Sequence, residues 1–132
     1  MYARTLVTAI GASALLAAAG CGGGGSSSTE GSTSTTASAE TITISETDFK
    51  LDPSPVTIDA AGTYTFKAVN NGGTDHALTV EGNGLEEKRT DTIAAGQSAS
   101  ITVDLKAGTY RMYCPIDGHQ KLGMVGKITV GG

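Results

Sequence analysis

The sequence runs to 132 residues with a net charge of −4, 19 glycines, no tryptophan and only 5 % aromatic residues. That length makes one domain the expectation, and the scarcity of large side chains means that part of the chain lies outside any core. Nine basic against 13 acidic residues provide no footprint for neutralising phosphates, which excludes nucleic acid as the main partner.

Residues 1–20 carry a single charge, Arg4, followed by an apolar run from Leu6 to Gly20. A charged start, a short Ala-rich core and a small-residue end form the pattern of an export signal. A bilayer-spanning helix takes about 20 predominantly apolar residues, so an uncleaved anchor is the weaker alternative. Ala18-Ala19-Gly20-Cys21 resembles the lipobox of bacterial lipoproteins, with Ala18 where that family more often has Leu. The resemblance implies that residues 1–20 are a lipoprotein signal peptide and that Cys21 is diacylated and becomes the new N-terminus; a free thiol is the alternative. Two acyl chains hold a protein stably at a membrane where one is marginal. The expectation is therefore an exported protein, lipid-anchored on the extracytoplasmic face of a bacterial membrane. Loss of Arg4 would leave eight basic against 13 acidic residues, a net charge of −5.

Beyond Cys21, the segment up to Glu40 is almost entirely Gly, Ser, Thr and Ala, with Glu30 and Glu40 its only charges. Without large apolar side chains it cannot offset its own ordering entropy, and residues 21–40 read as a disordered, flexible linker. Gly22 to Gly25 lack the Lys and Ser/Thr partners of a phosphate-binding loop.

From Thr41 to Gly132 the chain changes to short β-branched runs broken by Gly, Asn, Asp and Pro about every ten residues, the pattern of an all-β sandwich or barrel. The expected strands are Thr41–Glu46, Val56–Asp59, Thr63–Asn70, His76–Glu81, Ser98–Leu105, Thr109–Cys114 and Val125–Val130. Ile42 and Ile44, Tyr64, Phe66 and Ala68, Leu78 and Val80, Ile101 and Val103, and Ile128 and Val130 each alternate onto one strand face. Glu86-Glu87-Lys88-Arg89 reads as a solvated loop.

The chemistry concentrates between Cys114 and Met124, where four residues separate Cys114 from His119 and four more separate His119 from Met124. A thiol, an imidazole and a thioether on one loop are donors that copper prefers. Two histidines and a cysteine around one ion, with a weak axial methionine, define the blue-copper electron-transfer site. The second histidine has to be His76, the only other one in the chain. Arriving from a distant strand, it should tie the two sheets together at one end of the domain. Each residue also has an ordinary alternative. Cys114 alone reads as a buried thiol and Met124 as core filler, like Met112 on the strand face shared with Tyr110 and Cys114. His76 could pair with Asp75 at the surface or serve Cys114 as a base, which would leave His119 and Met124 unexplained.

The domain resembles a cupredoxin of the plastocyanin and azurin type, in Asn70 to His76, Gly108 to Cys114, the ligand loop and Gly123 to Val130. The resemblance covers residues 41–132 and implies a Greek-key β-sandwich binding one copper ion, with His76, Cys114 and His119 equatorial and Met124 axial. It departs at Ala77, where plastocyanin and azurin have Asn, and Pro115 has no N–H to give the sulfur. The function implied is a membrane-tethered one-electron carrier serving redox partner proteins at the membrane surface, and not an enzyme. Extracytoplasmic copper sequestration or delivery is the alternative with the same ligands.

Overall fold

A computed structural model describes residues 39–132. The expected signal peptide, Cys21 and nearly all of the linker lie outside the described residues. Among the described residues, nine strands form two sheets. β1 (Glu40–Thr47), β2 (Lys50–Asp52), β4 (Gly62–Asn70) and β7 (Ser98–Leu105) make one, in the order β2-β1-β4-β7. β3 (Val56–Ile58), β5 (Thr79–Gly82), β6 (Leu85–Arg89), β8 (Gly108–Tyr113) and β9 (Val125–Val130) make the other, in the order β3-β9-β8-β5-β6. The chain crosses between sheets after β2, β3, β4, β6 and β7, giving the Greek-key β-sandwich expected of a cupredoxin.

The alternation read in the sequence is what closes this sandwich. Tyr64, Phe66 and Ala68 of β4 and Ile44 of β1 point inward from one sheet, and Val80, Tyr110, Met112, Ile128 and Val130 from the other. A side chain the size of Phe66, wholly removed from water, contributes roughly 1.5–3 kcal/mol of transfer free energy. Met112 is fully buried in this core, as the ordinary reading of a strand methionine requires.

Three expectations need correction. Regular pairing in the fourth expected strand begins at Thr79 and not at His76, because His76 makes an isolated bridge to Ile93 and Leu78 bonds Thr90 instead of a strand partner. Glu86-Glu87-Lys88-Arg89 is not a loop but the exposed edge strand β6, paired with β5. Charge on an edge strand hinders pairing with another chain, so a charge run and a strand are compatible here. The short strand β2, absent from the expected strands, closes a tight hairpin with β1 in which Thr47 pairs with Lys50 across Asp48 and Phe49.

Candidate metal centre

The β8–β9 hairpin presents three of the four expected ligand residues. Its register pairs Tyr113 with Val125, so Cys114 and Met124 face each other just beyond, and the Cys114 N–H donates to the Met124 carbonyl at 3.1 Å. The loop between them folds back: the Met124 N–H donates to the His119 carbonyl at 3.2 Å and the His119 N–H to that of Ile116 at 3.1 Å. A 3-10 turn over Gln120–Leu122 ends at Gly123, whose φ of 116° belongs to the left-handed region open to glycine; Gly118, at 80°, reverses the chain before His119.

His76 comes from the segment joining β4 to β5. Buried Asn70 shapes that segment, its Nδ2 donating to the carbonyls of Thr74 (2.8 Å) and Ile93 (2.7 Å) and its Oδ1 accepting the Gly72 N–H (2.9 Å). The His76 backbone then exchanges two hydrogen bonds with Ile93, at 3.0 and 2.7 Å.

These elements bring three donors face to face. His76 Nδ1 lies 3.3 Å from His119 Nδ1 and 4.0 Å from Cys114 Sγ, and His119 Nδ1 lies 3.5 Å from the same sulfur. An ion about 2.0–2.1 Å from nitrogen and 2.3 Å from sulfur, at the centre of a trigonal plane, needs donors roughly 3.5–3.8 Å apart. The triangle is the right size for one metal ion. His76, Cys114 and Met124 are fully buried, while His119 keeps an edge toward solvent. Met124 is joined to the cluster through its backbone bonds to both Cys114 and His119.

Burial pushes the Cys114 thiol above its ordinary range, and backbone N–H groups of Ala77 and Ile116 pull the other way by bonding the sulfur. Ile116 thus supplies the donor that Pro115 lacks. Buried Glu46 raises the thiol further; both of its carboxylate oxygens lack partners among the described residues, and burial lifts its own pKa to about 7.

Cys114, His119 and Met124 lie on the β8–β9 connection of one sheet, and His76 lies outside regular strands, in the segment that leads from β4 of the other sheet into β5. The β1–β2 turn adds a further link from that other sheet. Asp48 Oδ1 stands 3.2 Å from His76 Nε2, and the Phe49 ring meets His119 edge-on at 5.0 Å. The carboxylate on His76 is therefore Asp48 and not Asp75. Neither Asp48 nor Phe49 is legible in the sequence: they lie far from the histidines along the chain, and no spacing or periodicity links them.

Two imidazoles, a cysteine sulfur and a buried methionine beside them form a donor set typical of a type 1 site for one copper ion. Residues 38–131 match the family of copper binding proteins described as the plastocyanin/azurin family, and the chain belongs to it. It is 36 % identical over 88 residues to a chloroplastic plastocyanin of Fritillaria agrestis, covering 59 % of this chain and 50 % of that protein. It is 28 % identical over 106 residues to the copper-resistant cuproprotein CopI of Rubrivivax gelatinosus, covering 67 % of this chain and 64 % of that protein. The chain thus spans between half and two thirds of the length of these relatives. Among solved structures it resembles reduced auracyanin from Roseiflexus castenholzii, with a TM-score of 0.63 and 20 % identity over 71 % of this chain and 98 % of that one.

Proposed function

We propose that this protein is a one-electron carrier that cycles a single copper ion between Cu(I) and Cu(II), with His76, Cys114 and His119 as equatorial ligands and Met124 as the axial one. The observation that carries the reading is the triangle of donors, sized for one ion. A site held by buried backbone bonding rearranges little when its metal changes charge. Three strong ligands plus Met124 leave no open position for a substrate, so the chemistry is electron exchange and not catalysis.

Electrons pass through the His119 edge. Leu122, 59 % exposed, and half-buried Ile116 lie on the same loop as His119, an apolar surface suited to a brief encounter with a redox partner. The acidic balance of the chain favours partners with a basic patch. Export and a lipid anchor at Cys21, followed by a linker from 21 to 40 and the copper domain from 41 to 132, would confine these encounters to a membrane surface; the support for this is the sequence pattern of the first 40 residues.

Titrating the protein with Cu(II) tests the site: an intense visible thiolate-to-copper band should saturate at about one equivalent and be absent from Cys114→Ser. A weak tetragonal spectrum indifferent to that substitution contradicts the assignment. The similarity to a copper-resistant cuproprotein favours a second reading, copper sequestration or delivery by the same ligands. Under that reading the reduced protein surrenders its copper to an acceptor instead of returning to the oxidised state with the metal in place.

A further inference from the structure

Asp48 sits outside the donor triangle, on the far side of His76. The imidazole turns Nδ1 toward Cys114 and His119 and leaves Nε2 facing the Asp48 carboxylate at 3.2 Å. The same carboxylate accepts the Gly73 N–H at 3.1 and 3.0 Å, the Thr74 N–H at 3.3 Å and the Thr74 hydroxyl at 3.0 Å. Both oxygens are thus met by donors, the surroundings of a carboxylate anion. An ionised carboxylate only accepts, so the atom opposite it must donate. His76 is then protonated at Nε2, and the lone pair of Nδ1 is free to face the sulfur.

The surroundings are built for this contact. A Cβ at Gly72 would fall 2.5 Å from Asp48 Oδ1 and 2.8 Å from His76 Nε2, so only a residue without a side chain lets the two groups meet. Phe49, next to Asp48 in the turn, holds a φ of 113°, a left-handed conformation that costs a bulky residue of order 1–3 kcal/mol. That strained turn sets Asp48 against one histidine and Phe49 against the other.

We infer that Asp48 is a positioning residue for the copper site: its carboxylate fixes the tautomer of His76 and sets a negative charge behind it that favours Cu(II) over Cu(I). The inference rests on the copper reading above. A partner of this kind raises the basicity of the ligating imidazole, and its charge stabilises the more positive oxidation state more strongly.

Two variants separate charge from geometry. Asp48→Asn keeps an oxygen for His76, Gly73 and Thr74 and loses the charge, whereas Asp48→Ala loses both. In the metal-free protein, nitrogen-15 spectra should report His76 as the Nε2–H tautomer in the parent and in Asp48→Asn, and as a mixture in Asp48→Ala. With copper bound, Asp48→Asn should shift the preference about tenfold toward Cu(I), a rise of about 59 mV in a one-electron potential, with the visible band unmoved. Asp48→Ala should raise the potential as well and weaken Cu(II) binding about tenfold. Gly72→Ala, which wedges the pair apart and leaves Asp48 in place, should reproduce the tautomer mixture. An Nδ1–H tautomer in the parent, or a parental potential in Asp48→Asn, overturns the inference. A parent that binds copper without a thiolate band defeats the copper reading instead, and the metal-free spectra still decide the role of Asp48.

Discussion

The two histidines of the centre are chemically the same donor in opposite settings. His76 is wholly buried, bridged to Ile93 through its backbone and backed by the Asp48 anion; His119 sits on a loop, half-exposed, with the aromatic edge of Phe49 beside it. Their difference teaches that a ligand set does not assign roles. What lies behind each imidazole makes one an anchor and, under the proposed function, the other an outlet.

The sharpest way to break that comparison is to delete each ring. His76→Gly and His119→Gly should each abolish the parental visible band, but added imidazole should restore it only in His119→Gly, where solvent reaches the vacated position. Restoration in both variants, followed by absorption, would make the two histidines equivalent.

A second comparison concerns two carboxyls of the β1–β2 hairpin. Asp48 is exposed, fully bonded and anionic, whereas Glu46, two residues earlier, is buried with neither oxygen partnered, and burial raises it from 4.5 to about 7. Between those pH values the unfolded chain releases the Glu46 proton while the folded one retains it. Its contribution to stability is therefore present in full below 4.5 and is lost as pH rises through about 7. The loss should amount to about 2 kcal/mol after allowance for solvent screening. Glu46→Gln should flatten that part of the pH profile in urea unfolding of the metal-free protein; an unchanged profile would mean that Glu46 titrates normally.

The smallest expected effect sharpens the outlet role of His119. Leu122→Asp places a charge beside its exposed edge and should slow electron exchange with a redox partner about tenfold, or roughly 1.4 kcal/mol in the barrier, while sparing the visible band. Stopped-flow mixing with an oxidant measures the first effect and absorption the second. Loss of the band would show that Leu122 supports the site itself.

Much of this molecule is legible without coordinates, for physical reasons that differ by element. β4, β7 and β9 bury one face and expose the other, so Phe66, Val103 and Ile128 leave a period of two in the sequence. The ligand loop is legible because its donors lie on one short hairpin, and His76 because no other histidine remains. β6 escapes because an edge strand in solvent carries no apolar alternation, and the start of β5 because isolated pairs of bonds to Ile93 and Thr90 replace a ladder. Asp48 and Phe49 escape most completely. Their contacts are made across the sandwich by a two-residue turn, and Phe49 holds a backbone conformation that local propensity disfavours.

The central claim is that one copper ion stays in the His76–Cys114–His119 triangle through both oxidation states. Voltammetry of the copper-loaded protein, with its visible band recorded at each potential, tests this most directly. The account predicts a reversible one-electron wave whose reduction bleaches the band and whose reoxidation restores it in full. Reduction that releases the copper, with no band returning on reoxidation, would contradict it.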